Sequence, residues 1–211
     1  MSYYPLFLEL TGRRCLVIGG GPVAVRKVEG LLRSGAQVTV ISPELSKELR
    51  LLLIQPSIEH VARKYQDGDL EGYALAFVAT DDRAINAAVS RDGRSCGVWV
   101  NCTDDPDYCD FILPAVIRRG EIALAISTGG ASRALARALR EELEAFLTGD
   151  LTQLIQTISE VRAELKERSI RVSPESWNEA LKGEFRLLVA QGRAADAKQL
   201  LIRRLEDRPC G

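Results

Sequence analysis

Three consecutive glycines, Gly19 to Gly21, follow directly on the apolar run Cys15-Leu16-Val17-Ile18, and this feature constrains the chain more than any other. Leu16, Val17 and Ile18 suit a strand buried on both faces, since no polar residue alternates with them. A tight turn is expected at the glycines. From Val23 the period becomes helical: Val23, Val28, Leu31 and Leu32 fall near one face, Arg26, Lys27 and Glu29 lie elsewhere, and Ser34-Gly35 supplies the stop. Gly19, Gly21 and Ala24 occupy the three small positions of a G-x-G-x-x-G/A fingerprint. The first permits the turn, the second lets a pyrophosphate approach the backbone, and the third lets helix and strand pack closely. Free amides at the helix start then face an anion. Glycine also ends strands for steric reasons, so the spacing alone is weak. It gains weight because the next strand, Gln37 to Ile41, completes a β-α-β unit, and dinucleotide binding is the expected use.

The second strand runs into Ser42-Pro43-Glu44, where Pro43 fits the first turn of a helix reaching about Leu53. An NAD site ordinarily has an acid here to hold the ribose 2′-hydroxyl. This chain has Ser42 in that place and Glu44 two residues on, with no arginine at the turn for a 2′-phosphate. The reading is a nicotinamide dinucleotide, with NAD favoured over NADP. Ser57 to Ala62 reads as a third strand, and its His60, the only histidine, as an exposed strand residue. Ala74 to Ala79 is a fully apolar strand ending in Thr80-Asp81-Asp82, which caps a helix from about Arg83. Thr80 and Asp81 then stand at the carboxyl end of a central strand, where ligands bind in doubly wound sheets. Val98 to Asn101 is a further buried strand, and Cys102-Thr103-Asp104-Asp105-Pro106-Asp107 leaves the sheet on the same edge. At the start of the chain, Tyr4 to Leu10 reads as an edge strand.

The regular alternation ends near residue 109. Two strands meeting at Arg119-Gly120 form a hairpin. Ser127-Thr128-Gly129-Gly130-Ala131-Ser132 then opens a helix with Leu135, Leu139, Leu143 and Phe146 on one face and Gly149 as its stop. Leu151 to Leu165 is a second helix, followed by one from Pro174 to about Val189 and one from Ala194 to Leu205. The expected organisation is a parallel-sheet nucleotide domain over 1–113, a hairpin and helix over 114–149 that serve dimerisation, and a helical domain over 150–211.

With 211 residues, of which 46% are hydrophobic, the chain is able to bury a substantial core. A formal net charge of −1 lacks the basic excess of a nucleic-acid binder. The five cysteines are scattered without a C-x-x-C pair, which suits reduced thiols. The first residues lack the basic region of a signal peptide, and no apolar run approaches membrane-spanning length. A soluble, cytoplasmic protein is expected.

Two stretches are candidates for chemistry. A carboxylate of Asp104-Asp105-Pro106-Asp107, at the lip of a nucleotide pocket, is able to accept a proton, although the same residues also make ordinary solvated turns. The segment Ser127-Thr128-Gly129 opens the helix that carries Arg133, Arg137 and Arg140 in one stripe, and this would suit an anionic substrate. Glu141, Glu142 and Glu144 lie close enough to neutralise that stripe. No His, Cys and carboxylate cluster has the spacing of a metal site, so no resident metal is expected.

The ordered motifs Tyr-Pro-Leu-Phe-Leu-Glu-Leu, Cys-Leu-Val-Ile-Gly-Gly-Gly-Pro-Val-Ala-Val-Arg-Lys, Val-Ala-Thr-Asp-Asp, Asn-Cys-Thr-Asp-Asp-Pro, Phe-Ile-Leu-Pro-Ala and Ile-Ser-Thr-Gly-Gly-Ala-Ser cover nearly the whole chain. In that order they resemble the precorrin-2 dehydrogenase family, which forms the N-terminal half of bifunctional siroheme synthases and also occurs as a separate protein. The resemblance implies a Rossmann-type α/β fold, a homodimer, and NAD-dependent oxidation of precorrin-2 to sirohydrochlorin. In many members it also implies insertion of ferrous iron. It places a catalytic role on Asp104 and cofactor contacts on Pro22, Val23, Pro43 and Glu44. The family's usual Ser-Ser-Gly-Gly is Ser127-Thr128-Gly129-Gly130 here, so a role of the second serine passes only to what a threonine shares. With no methyltransferase half before Gly211, methylation of uroporphyrinogen is expected from another protein. The many carboxylates of the substrate call for local cations, for which Arg118, Arg119, Arg133 and Arg137 are the candidates.

Two other readings stand beside this one. A dinucleotide-sensing regulatory module would bind the cofactor without chemistry, but such modules ordinarily keep the ribose-binding acid. A general oxidoreductase of the same fold would offer a His, Lys or Tyr at the hydride site, and His60 is poorly placed for that.

Overall fold

Because Leu16, Val17 and Ile18 carry no polar alternation, both faces of their strand must be covered, and the computed structural model covers both. It describes residues 3–103, 105–120, 122–147 and 150–207. Five parallel strands, β1 (Arg14–Ile18), β2 (Gln37–Ile41), β3 (Ile58–Val61), β4 (Leu75–Val78) and β5 (Trp99–Cys102), lie in the order β3-β2-β1-β4-β5. The helices α1 (Pro22–Arg33), α2 (Lys47–Leu52) and α3 (Arg83–Cys96) connect them. Val17, Cys15, Val38 and Val40 pack with Ala24, Val28 and Leu31 of α1 and Leu49 of α2. Leu16, Ile18, Ala76 and Val78 pack on the opposite face with Val89 of α3. The strand order reverses direction between β1 and β4, which makes the carboxyl edge at that point the crevice where ligands bind in such sheets.

The local sequence explains the element ends. Ser34 and Gly35 close α1, and Gly35 adopts φ +72°, a left-handed conformation costly for other residues. Asp82 begins α3 by accepting hydrogen bonds from the Ala84 and Ile85 amides. Gly93 lets α3 lie directly on β5, for a Cβ there would stand 2.4 Å from Val100 Cγ2 and 2.8 Å from the Val98 carbonyl oxygen.

The chain divides into two compact units, residues 1–113 and 114–211. The second contains the antiparallel hairpin β6 (Ala115–Arg119) and β7 (Ile122–Ile126), on which α4 (Arg133–Glu144) packs. It also contains α5 (Asp150–Glu167), α6 (Pro174–Ala180), α7 (Glu184–Ala190) and α8 (Ala194–Glu206). Val161, Leu165, Phe185, Val189, Leu201 and Leu205 form the core of these last four helices. No helix among the described residues is long and apolar enough to cross a membrane.

Four expectations need correction. Tyr4 to Leu10 is not a strand: β3 and β5 occupy the sheet edges, and Tyr4 and Phe7 are 85% and 72% exposed. Instead the segment ends in a turn in which the Arg13 amide donates to the Leu10 carbonyl. The helix after β2 begins at Lys47 rather than at Pro43, because Ser46, not Ser42, is its cap and accepts from the Leu49 amide. The span from Pro174 to Val189 is two helices, broken where Gly183 takes φ +60°. The first helix after the hairpin ends at Glu144, five residues before Gly149, which lies outside the described residues.

Substituting Gly93→Ala tests the contact between α3 and β5. The added methyl must displace Val100 or the Val98 backbone, and a loss of about 2 kcal/mol is expected, read as a lower urea midpoint.

Candidate functional site

Parallel registry decides where the site is. Ile41, Ile18, Val78 and Cys102 stand in one row across the sheet, so Ser42, Gly19, Ala79 and Thr103 form the next row at its carboxyl edge. Four hydrogen bonds continue the ladder into that row: Ser42 donates to the Val61 carbonyl, Gly19 to that of Ile41, Ala79 to that of Ile18 and Thr103 to that of Val78. Gly19, Gly21, Pro22, Val23, Pro43, Glu44, Thr80 and Asp81 are thereby gathered along one edge of the first unit.

The three glycines have three different roles. Gly19 turns the chain at φ +118°, and a Cβ on it would lie 2.3 Å from the Ala79 carbonyl oxygen. Gly20 is pressed against the loop after β2: a Cβ there would lie 1.9 Å from the Glu44 carbonyl oxygen, and the Ser46 amide donates to the Gly20 carbonyl at 2.8 Å. Gly21 begins α1, and a Cβ on it would meet nothing within 4 Å. No side chain caps α1, and its first turn holds no acidic residue, so the positive end of the helix opens onto the space beside Gly21. An open approach, an uncapped helix start and the fully buried Ala24 beneath it fit a bound pyrophosphate.

At the end of β2, Ser42 is buried and its hydroxyl donates to the Glu44 carbonyl at 2.7 Å. The hydroxyl therefore shapes the loop, which carries Pro43 and Glu44 exposed at the edge. His60 is half-buried rather than exposed, and its Nε2 lies 2.9 Å from the Ser42 carbonyl oxygen, bracing the same loop from β3. At the end of β4 the Thr80 hydroxyl accepts from the Asp82 amide at 3.1 Å, while Asp81 is exposed.

The acidic loop leaves from the end of β5. Asp104 lies outside the described residues; its neighbours Thr103 and Asp105 are half-buried, and Pro106–Tyr108 form one 3-10 turn. The Cys109 sulfur closes this loop against Cys102. Burial pushes the Cys102 thiol up to about 12, with Cys109 and Asp105 adding to the rise, and burial likewise raises Cys109. Both are free thiols, as are Cys15 and Cys96.

In the second unit, Ser127, Thr128 and Gly129 form the entry to α4. The Ser127 hydroxyl accepts from the Gly129 amide, and the Thr128 hydroxyl donates to the Ser132 carbonyl and accepts from its amide. Of the two readings of the arginine stripe, the salt-bridged one describes Arg137, which pairs with Glu141, and Arg140, which pairs with Glu141 and Glu144; Arg119 of β6 also pairs with Glu144. Arg118 is exposed on β6, and Arg133 is the first residue of α4.

The contact at Gly20, the His60 brace and the Cys109 closure were not apparent in the sequence. A third glycine, at a position the fingerprint leaves free, was a signal for the first of them. The other two join residues that no local pattern relates.

A doubly wound parallel sheet with an open glycine corner at its switch point defines a dinucleotide-binding protein of the Rossmann type. Residues 6–115 match the model of an NAD(P)-binding family, and the chain belongs to that family. Along almost its whole length it is also similar to siroheme synthases. It is 40% identical over 210 residues to that of Nitrosomonas europaea, covering 98% of this chain and 44% of the relative. It is 41% identical over 208 residues to that of Methylococcus capsulatus, covering 96% and 43%. The chain thus spans less than half the length of these relatives. A solved structure titled SirC, precorrin-2 dehydrogenase, superposes with a TM-score of 0.79 at 29% identity, covering 95% of this chain and 100% of that one.

Substituting Gly21→Ala separates binding from folding. Its φ of −88° suits alanine and the methyl meets no protein atom, so thermal stability should stay within about 2 °C of the parent. The methyl instead occupies the pyrophosphate approach, and NADH fluorescence titration should show affinity reduced by about ten-fold or more.

Proposed function

We propose that the chain is an NAD-dependent precorrin-2 dehydrogenase that forms sirohydrochlorin in siroheme synthesis. The observation that carries this reading is the superposition on a solved precorrin-2 dehydrogenase, which covers 95% of this chain and 100% of that one. The open corner at Gly21 and the loop at Glu44 support NAD as the cofactor, since the chain places a carboxylate and no arginine at the ribose turn.

The reaction removes one hydride and one proton from the macrocycle. Bound NAD supplies the hydride acceptor. The amides at the start of α1 hold its pyrophosphate, and Gly19 and Gly20 keep that corner in place by their contacts with Ala79 and Glu44. Asp104 is the proton acceptor, on the loop that continues β5 past the row formed by Gly19, Ala79 and Thr103. The entry to α4 at Ser127, Thr128 and Gly129, with Arg133, receives the substrate carboxylates, with Arg118 on the hairpin as a further cation, while Arg137 is held by Glu141.

The chain acts as a homodimer in this reading. Leu135, Leu143 and Phe146 form an exposed apolar row along and just beyond α4, with Phe146 at 76% exposure. Such a row is characteristic of a face that pairs with another copy. Leu135→Glu together with Leu143→Glu should yield a monomer by light scattering, where the parent chain gives twice the monomer mass.

The central test is anaerobic incubation with precorrin-2 and NAD, followed by absorption spectroscopy. Sirohydrochlorin should form with stoichiometric NADH, and Asp104→Ala should lower turnover by about 10²-fold or more while NADH still binds. Absence of turnover in the parent chain would leave a sensing module as the better reading. Ferrous iron added after the dehydrogenation reads chelation in the same cuvette.

A further inference from the structure

We infer that Cys109 is a positioning residue for the dehydrogenation, its thiol fixing the backbone on both sides of position 104. The inference rests on the reading of Asp104 as proton acceptor. Cys109 follows the 3-10 turn Pro106–Tyr108, and its sulfur meets four polar groups of the loop and the strand end. The S–H is shared between the Cys102 carbonyl at 3.1 Å and the Asp105 carbonyl at 3.3 Å. The sulfur accepts from the Cys102 amide at 3.2 Å and from Asn101 Nδ2 at 3.6 Å. Residues 102 and 105 are therefore tied to one atom, although they lie on opposite sides of Asp104 in the chain.

The bland account of a half-buried cysteine is a small apolar side chain filling space. The contacts argue otherwise. A space-filling thiol needs no polar partners, whereas this one meets the carbonyls of two residues and the amide of one of them. Nor is it needed to hold its own segment to the sheet. Asp110 Oδ2 accepts from the Val100 amide at 2.8 Å, the Asp110 amide donates to the Val100 carbonyl at 2.8 Å, and Asn101 Nδ2 donates to the Phe111 carbonyl at 2.8 Å. These bonds clamp residues 110–111 to β5 whatever stands at 109. The thiol's distinct contribution is to the loop that bears the acid. Burial keeps it protonated, as a donor to two carbonyls must be.

The test compares Cys109→Ala, Cys109→Ser and Asp104→Asn in the full-length chain, with precorrin-2 and saturating NAD. Steady-state constants, the pH dependence of kcat and the thermal midpoint are recorded for each. Cys109→Ala should lower kcat by about ten-fold, with KM for precorrin-2 within about two-fold, because a loosened loop misplaces the acceptor without removing a substrate contact. The acid limb of its kcat profile should shift, and its NADH affinity should not. Cys109→Ser should recover part of kcat, since a hydroxyl also donates and accepts. Parental kcat and pH profile in Cys109→Ala would overturn the inference. So would kcat falling only in step with the folded fraction, with no recovery by serine. If Cys109→Ala does not fold, Cys109→Val takes its place, since it fills the space without a donor or acceptor, and a parental kcat and unshifted profile there overturn the inference equally. Full turnover by Asp104→Asn would instead sink the underlying reading of the acid, so the two failures are distinguishable.

Discussion

The alignment of strand ends is the constraint on which the site depends. Parallel strands hydrogen-bonded in register end together, and here the ladder runs one residue past each of four strands into Gly19, Ser42, Ala79 and Thr103. Each of these residues starts a loop, so four segments distant in sequence reach one edge without any special contact to assemble them. The apolar packing on both faces maintains that register: a slip would carry Leu16 and Val17 out of separate cores.

Much of this was legible because it is local. The strand before the glycines, the first helix with its stop and the second strand follow from composition and period, and β1, α1 and β2 run as those signals imply. The cap at Asp82, the hairpin and the last helix are read in the same way. Errors arose where a local signal had two uses. Pro43 suits a first helical turn, but Ser42 spends its hydroxyl on the Glu44 carbonyl and delays the helix to Ser46. Tyr4 to Leu10 has the composition of a strand, yet it pairs with neither edge of the sheet.

The candidate site divides along the same line. Its fingerprint glycines and the residues at the strand ends could be named in advance, since a motif fixes them. The partners of Gly20, His60 and Cys109 could not, because no local pattern announces them: Gly20 meets the loop after β2, His60 reaches from β3 to the end of β2, and the Cys109 thiol turns back to the end of β5. The arginine stripe was ambiguous for a related reason: charges at helical spacing identify a face, and only the placement of Glu141 and Glu144 determines how much of it is already paired.

The Ser42 hydroxyl bears on any redesign of cofactor preference. A common strategy for moving such a fold toward a phosphorylated ribose is to replace the residue that ends the second strand with a small or basic one. Here that residue is a structural peg: its hydroxyl donates to the Glu44 carbonyl and fixes the turn of the loop, while the Ser46 amide latches the loop onto the Gly20 carbonyl. Engineering would therefore have to leave position 42 intact and recruit its cation at the exposed Glu44, where the loop tolerates a change of charge without coming unlatched.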